Sequence, residues 1–539
     1  MEKYKNLSLA VLSGLLLAAA WPVKGFPFLA LVAFLPLFYI EEEFTRNTLK
    51  SNKIKVFGYA YLTFFIWNAL TTYWILNSTI FGGIMAVVLN SLLMAIVFYI
   101  YHLSHVLTKN PNGLFILLFY WLAWEYFHLD WDLSWPWLNL GNSFSDYPQW
   151  IQWYEFTGAL GGSAWILIIN ILLFKAIYPL LKGEALSRPA IANGVLAILL
   201  FSGAAFFSHA IYNNYSAQSD PVEITVVQPN NNPYSEQYEK TPKEILSHIF
   251  DLAVQKTDST TRYIVCPESA IQERPLYENY IDRGRSIQML KSYMQNKDST
   301  AIIIGASTYY IFGEDEELPV SARQFNDSDK HYNAYNTAIY LDHTLDMQLY
   351  HKSKLTPGVE KMPFKSVFKH VESLAIDLGG TVGTLGTDEI RDPFDAYTGS
   401  KVGTAICYES VYGDFFAGFV RNGAELMFII TNDGWWGNTP GYKQHMSYAS
   451  LRAIETRRSI ARSANTGISA FINQRGDIRK STPYWEEAVI NDTVNRNDKI
   501  TFYVRYGDYV GRIAVFATVM LLLITIAAAI TNRNRRIVG

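Results

Sequence analysis

The sequence predicts two parts: a polytopic α-helical membrane domain of about eight spans, and an α/β domain placed before the last span. Half of the 539 residues are hydrophobic and 15% are aromatic. The apolar residues crowd into the first roughly two hundred positions and the last thirty or so. Between them, from Pro221 onward, short β-branched runs alternate with helical stretches, as in an α/β domain. Lys and Arg gather in alternate loops of the apolar region, the habit of a chain threaded through a bilayer. The length suits two or three domains, expected at 1–210, 211–510 and 511–539.

A bilayer core takes about 20 apolar helical residues to cross. Candidate spans lie near 7–22, 26–40, 56–77, 82–107, 113–129, 159–181, 190–210 and 512–531. The first two are short, and Pro22 and Pro27 between them suit a tight re-entry. Lys3, Lys5, the apolar run and Ala18-Ala19-Ala20 also fit a signal peptide, but the quick succession of further spans favours a retained helix. Arg46, Lys50, Lys53 and Lys55 follow span two, and Lys109 follows span four. Lys182 and Arg188 follow span six, and Arg533, Arg535 and Arg536 follow the last. Segments 77–81 and 130–158 carry neither residue. This asymmetry puts both termini in the cytoplasm and 211–510 across the membrane.

The segment 121–153 holds Trp121, Trp124, Trp131, Trp135, Trp137, Trp150 and Trp153. It reads as an aromatic belt at headgroup level or as the floor of a lipid-binding site. His102 and His105, within one apolar span, read as helix packing rather than a metal site. Formal net charge is −3, so nothing points to nucleic acid. With two cysteines, Cys266 and Cys407, there is no disulfide framework and no zinc cluster.

In the middle region Val222–Gln228 reads as a strand and Thr241–Gln255 as a helix. Arg262–Cys266 is a strand running into Pro267-Glu268-Ser269, Ile281–Asn296 a helix and Ala301–Ser307 a strand. Asn333–Leu341 and Met347–His351 form an expected hairpin that delivers Lys352. Lys401–Ile406 ends at Cys407, and Leu426–Thr431 ends just before Asp433. Gly441–Ala464 reads as one long helix, followed by a strand at Ala470–Asn473. Glu268, Cys407 and Asp433 thus sit just past strand carboxyl ends, where α/β sheets gather catalytic groups.

A thiol attacks only as thiolate, which needs a base or a positive neighbour. Glu268 supplies the base and Lys352 the charge, which also suits an oxyanion. Taken singly, the cysteine reads as a small buried hydrophobe and the glutamate and lysine as solvated surface.

The motifs Cys-Pro-Glu-Ser-Ala (266–270), Tyr-His-Lys-Ser-Lys-Leu-Thr-Pro (350–357), Ile-Cys-Tyr-Glu-Ser (406–410) and Thr-Asn-Asp-Gly-Trp-Trp (431–436) resemble the nitrilase superfamily in order and spacing. With several spans before and one after, the chain is similar to the bacterial apolipoprotein N-acyltransferase family, as is Pro136-Trp137-Leu138-Asn139-Leu140-Gly141. The resemblance implies an αββα sandwich with Glu268 as general base, Lys352 as oxyanion-stabilising cation and Cys407 as nucleophile. It implies supporting roles for Glu360, Tyr408 and Glu409, and aligns Tyr238 with an aromatic substrate-binding position. One departure is Pro357-Gly358-Val359-Glu360, where the family has Pro-Phe-Gly-Glu. The implied reaction moves the sn-1 acyl chain of a phospholipid, through a thioester, to the α-amino group of a diacylglyceryl-cysteine on an apolipoprotein. It implies no metal or diffusible cofactor, a monomer, and a bacterial inner membrane with the catalytic domain in the periplasm.

The nearest rival is a membrane-bound amidase of the same superfamily, with water as acceptor. A transporter is disfavoured because the spans hold few ionisable groups, chiefly Glu125 and Lys175. The run Gly379–Gly386 lacks the Lys-Ser/Thr of a phosphate loop. Residues 361–378 place Phe364, Val367, Phe368, Val371 and Leu374 at helical spacing, which reads either as a surface helix or as an interfacial lid. Trp435 and Trp436, expected near substrate, read as core filler or as walls that keep water from a thioester.

Overall fold

The computed structural model describes residues 2–46, 54–295, 297–363 and 384–538. The chain forms two compact units, Met1–Asn214 with Tyr506–Gly539, and Tyr215–Arg505. Most of the expected lid, 361–378, and of the glycine run, 379–386, lies outside the described residues.

The first unit is helical. Among the described residues four helices are long and apolar enough to cross a membrane: Ile80–Thr108, Tyr154–Leu181, Arg188–Asn214 and Tyr509–Asn534. That is fewer than the eight expected. The other predicted spans coincide with helices that fall short of this standard. Glu2–Ala19 and Leu114–Phe127 are short, with 18 and 14 residues. Leu35–Arg46 has 12 residues and carries Glu41, Glu42 and Glu43. Ile54–Thr72 has 19 residues, with Lys55, Asn68 and five threonines or tyrosines diluting its apolar run.

Several buried polar side chains in this unit find partners within it, as an apolar interior favours. Asn170 donates to Ala30 O at 2.8 Å and accepts from Phe34 N at 3.0 Å, fixing the turn between the first two helices. Glu125 accepts from Leu140 N at 2.8 Å and Trp121 Nε1 at 3.0 Å. It ties down the 3₁₀ turns Pro136–Leu138 and Leu140–Phe144. Trp121 and Trp137 are fully buried, so the tryptophan-rich segment is at least partly internal packing. His102 and His105 pack around Glu41, whose Oε1 lies 2.8 and 3.2 Å from their Nδ1 atoms. Glu41 therefore joins Glu125 and Lys175 among the ionisable groups of this unit.

The second unit contains two sheets. In the first, β13 (Ala488–Asn495), β1 (Pro221–Gln228), β2 (Thr261–Val265), β3 (Ala301–Ile311), β5 (His331–Leu341) and β4 (Arg323–Gln324) follow in that order, with β6 (Met347–His351) also on β5. In the second the order is β12 (Ile478–Ser481), β11 (Ala470–Ile472), β10 (Ile460–Ala464), β9 (Ala424–Thr431), β8 (Lys401–Ile406) and β7 (Phe394–Asp395). β1, β2 and β3 are mutually parallel, as are β8, β9 and β10. Their central strands are buried on both faces and read as continuous apolar runs. The sheets meet where Tyr263 of β2 packs edge-on against Phe428 of β9, with ring centroids 5.3 Å apart, and where Ser463 Oγ donates to Val227 O. Helices Pro242–Val254 and Arg285–Met294 supply Ile245, Leu246, Ile249, Ile287 and Leu290 to the core over β1–β3. Helices Gly413–Arg421 and Pro440–Thr456 cover the second sheet. The layers run helix, sheet, sheet, helix.

The expected helix Gly441–Ala464 is corrected. It ends at Thr456, Arg457 caps it at φ 51°, and Ile460–Ala464 is β10. Pairing with β9 and β11 settles that segment, and every residue of β10 is buried between them.

Candidate active site

The loop carrying Glu268 is held against β3. Cys266 N donates to Ile303 O, Gly305 N to Pro267 O and Ile271 N to Gly305 O. Gly305 is required there, because a Cβ would lie 2.6 Å from Glu268 Cα and 2.5 Å from Ser269 N. Ser269 takes φ 55° and turns the chain away. Lys352 follows β6, and its N–H donates to Asn336 O on β5 at 2.8 Å. Cys407 follows β8 at φ 50°, a left-handed conformation that L residues rarely adopt.

Lys352, 2% exposed, and Glu268, 6% exposed, form an ion pair at 3.1 Å. Glu360 pairs with the same ammonium at 2.8 Å. Asn336 Nδ2 donates to both carboxylates, at 2.7 and 3.2 Å. Burial alone would strip the lysine of its proton, but Glu268 and Glu360 outweigh it and hold the amine charged well above its ordinary range. Burial likewise opposes the Glu360 charge, and Lys352 reverses the effect and lowers its pKa. The altered turn does not disturb this arrangement. Gly358 sits at φ +79°, and Thr356 N donates to Glu360 Oε2 at 2.9 Å, so the carboxylate still faces Lys352.

The half-buried Cys407 belongs to the same electrostatic field. Burial first and Glu268 next push its thiol up, while Lys352 and a hydrogen bond with Thr431 pull it down. On balance the thiol pKa is raised, with Glu268 and Lys352 acting on it in opposite directions.

Glu409 faces away from this group. It accepts from Ile406 N at 2.7 Å, Ser353 N at 2.6 Å and Tyr350 OH at 2.7 Å. It thereby fastens the end of β8 to the strand end bearing Lys352. Burial pushes its carboxyl up to about 7 against these donors. Tyr408 is buried with its ring edge-on to Tyr412 at 5.2 Å. Trp435 and Trp436 are half-buried. Tyr234 OH donates to Trp435 O at 2.7 Å, and Trp436 lies edge-on to His445 at 5.5 Å. Tyr238 falls in the short helix Glu236–Glu239, whose neighbour Gln237 accepts from Asn432 Nδ2 at 2.7 Å and donates to Ser269 O at 3.1 Å. The Tyr238 side chain is outside the described residues.

Sequence reasoning missed Asn336, His351, His445 and Arg462. An asparagine inside the apolar strand β5 was a usable signal, because such residues are depleted in strands. His351, one residue before Lys352, is clamped by Asp388 at 2.7 Å and Glu278 at 2.9 Å. Burial opposes its charge, but the two carboxylates push its pKa up to about 9 from 6.5. A raised folded-state value stabilises below the unfolded pKa, so the contribution is full below pH 6.5 and is lost as pH rises to about 9. The shift corresponds to at most about 3 kcal/mol, lowered toward 2 by solvent at the partly exposed Asp388. His351→Gln is expected to unfold at lower temperature than the parent at pH 6.5, with the gap closing by pH 9.5. A gap that does not change with pH would mean the clamp carries no charge.

The carbon-nitrogen hydrolase family model matches residues 223–501, just over half of the chain. The apolipoprotein N-acyltransferase N-terminal domain model matches residues 13–172. An apolipoprotein N-acyltransferase of Chlorobaculum tepidum is 28% identical over 98% of this chain and 97% of its own length. One of Geobacter metallireducens is 26% identical over 99% of this chain and 96% of its own. Apolipoprotein N-acyltransferase 1 of Treponema denticola is 24% identical over 96% of this chain and 95% of its own. With its two buried sheets and its Glu268, Lys352 and Cys407 at strand ends, the chain belongs to the carbon-nitrogen hydrolase family, preceded by the N-terminal domain of apolipoprotein N-acyltransferases.

Proposed function

We propose that the chain N-acylates lipoproteins, taking the sn-1 acyl chain of a phospholipid and passing it to the α-amino group of a diacylglyceryl-cysteine. The observation that carries this is the charged Lys352, held between Glu268 and Glu360, in the field that reaches Cys407. A helical, apolar unit in the same chain and the names of full-length relatives support a lipid donor and a lipoprotein acceptor. In this reading residues 1–210 and 511–539 lie in a bacterial inner membrane with both termini cytoplasmic, and its shorter helices also enter the bilayer. Residues 211–510 work in the periplasm, and the chain acts as a monomer.

In the first half-reaction Glu268 takes the Cys407 proton as Sγ bonds to the ester carbon. Lys352 steadies the oxyanion. The C–O bond breaks, the lysophospholipid oxygen takes the proton from Glu268, and a thioester remains. In the second, the amine attacks that thioester, Glu268 takes the amine proton, and the C–S bond breaks. The thiolate recovers the proton, and an amide leaves. Incubating purified enzyme with acyl-labelled phospholipid is expected to place label on Cys407, and adding a diacylglyceryl lipopeptide to move it onto the peptide amine. Label that never reaches Cys407, or leaves only as free fatty acid, would refute this reading.

A transferase must keep water from its thioester or place the amine far better. Trp435 and Trp436 lie in the turn that begins at Asp433, and Trp436 sits edge-on to the His445 ring. Replacing both by alanine is expected to raise the ratio of free fatty acid to acylated lipopeptide by about tenfold, the scale of a modest change in site solvation. Thermal stability is measured alongside. A folded double variant with an unchanged ratio would place water exclusion elsewhere.

A further inference from the structure

Behind Cys407 lies a buried polar array that the reaction scheme above leaves idle. Asp433 follows β9, Arg462 lies on β10, and His445 lies on the helix Pro440–Thr456. All three are at most 1% exposed. Arg462 Nη2 donates to Asp433 Oδ2 at 2.6 Å. His445 Nδ1 lies 3.0 Å from Asp433 Oδ1 and 3.1 Å from Arg462 Nη2. Its Nε2 lies 3.1 Å from the carbonyl oxygen of Cys407 and 2.9 Å from Ser410 Oγ. Ser410 Oγ donates to the same carbonyl at 2.7 Å. Thr431 Oγ1 donates to Asp433 Oδ1 at 2.8 Å. The array therefore reaches Cys407 at its carbonyl, through both His445 and Ser410.

A buried ion pair is costly, and an apolar replacement of equal volume often serves stability as well. Its worth here is better sought in geometry. Cys407 holds φ 50°, a conformation unfavourable for an L residue that persists only where the surroundings over-determine it. Glu409 fixes the peptide on the entry side through Ile406 N, and His445 with Ser410 fixes the exit side. The packing around the anchor leaves no slack. A Cβ on Gly467 would lie 2.6 Å from Asp433 Oδ2, and one on Gly434 would lie 2.1 Å from Thr466 Oγ1.

We propose that His445 is a positioning residue for the nucleophile: anchored by Asp433 and Arg462, it locks the Cys407 peptide in the left-handed conformation that presents the thiol to Glu268 and Lys352. This rests on the reading of Cys407 as the acyl-carrying residue. His445 exchanges no proton with substrate. Its loss lets the peptide relax, and a displacement near 1 Å at a reacting atom costs about 10²-fold in rate.

The test uses the full chain in phospholipid-containing micelles, with variants His445→Leu, His445→Gln and Asp433→Asn. Single-turnover labelling of Cys407 gives the acylation rate at saturation and the half-saturating phospholipid. Iodoacetamide alkylation of Cys407, followed by mass spectrometry across pH, reports thiol presentation without substrate. His445→Leu is expected to slow acylation about 100-fold, the scale of an angstrom displacement, with half-saturation within about threefold. Its alkylation is also slowed, with the pH profile displaced. Glutamine still carries a donor for the Cys407 carbonyl, and is expected to recover at least about tenfold of the loss. A folded leucine variant that acylates and alkylates like the parent overturns the proposal. So does a loss that follows thermal stability equally in the leucine and glutamine variants. If the leucine variant does not fold, unchanged alkylation in both His445→Gln and Asp433→Asn overturns it, and slowed alkylation in Asp433→Asn with partial recovery in His445→Gln upholds it. Failure of the underlying reading looks different, because a parent enzyme that never carries label on Cys407 refutes the nucleophile itself.

Discussion

Cys407→Ala is expected to abolish the acyl-enzyme and lower transfer at least about 10⁴-fold, the scale seen when a covalent nucleophile is removed. Glu268 and Glu360 do not substitute for it, because both are committed to Lys352. Cys407→Ser is expected to be nearly as inactive. Burial and Glu268 already raise the thiol pKa, and a serine hydroxyl is a far weaker acid facing the same base. Cys266 is the control. It is fully buried at the end of β2, in the apolar cluster with Ile304 and Leu290, and burial raises its thiol pKa strongly. Cys266→Ser places a hydroxyl in that cluster and is expected to cost about 1–3 kcal/mol in stability, while the folded fraction keeps its activity. Radiolabelled phospholipid followed by gel and peptide mapping reads both outcomes. Acyl transfer by Cys407→Ala, or none by a folded Cys266→Ser, would reverse the assignment of the two cysteines.

What the sequence reveals of this site follows from where its information is local. β1, β2, β8 and β9 are short β-branched runs stopped by polar residues, so Glu268 and Cys407 could be placed at strand ends by inspection. The hairpin β5–β6 could be placed as well, and Lys352 with it. β10 could not, because Ile460-Ala461-Arg462-Ser463-Ala464 continues a helical pattern and contains good helix formers. Only its pairing with β9 and β11 makes it a strand. Arg462 and His445 were illegible for the same reason: both fall inside the expected helix Gly441–Ala464, and only the sheet and the shorter helix bring them to Asp433. Glu409 was legible as a neighbour of the nucleophile but not as a clamp, since its partners Ser353 and Tyr350 lie more than fifty residues away. In the helical unit the apolar runs were easy to see. The shortness of the first two was legible from Pro22 and Pro27, but the shortfall at Ile54–Thr72 and Leu114–Phe127 was not.

Lys352→Met is the second substitution expected to have a large effect, and it acts on stability and chemistry by one cause. The ammonium is what allows two buried carboxylates to coexist: Glu268 and Glu360 both contact Nζ, and the neutral Asn336 amide is the other group that bridges them. Methionine fills similar volume without the charge. The carboxylates then repel in a site of low polarity, and one of them must take up a proton near neutral pH. Breaking a buried pair in this way costs about 3–5 kcal/mol, and proton uptake recovers part of it. Whichever carboxylate takes that proton, the oxyanion loses its cation, so acylation is expected to fall about 10³-fold or more. Adding Glu360→Gln separates the two effects. The double variant removes the repulsion and is expected to regain most of the thermal stability while staying inactive, because the oxyanion cation is still missing. Thermal unfolding and single-turnover labelling of the parent, the single variant and the double variant give both quantities. Acylation within tenfold of the parent in Lys352→Met would show that the positive charge serves only to hold Glu268 and Glu360 together.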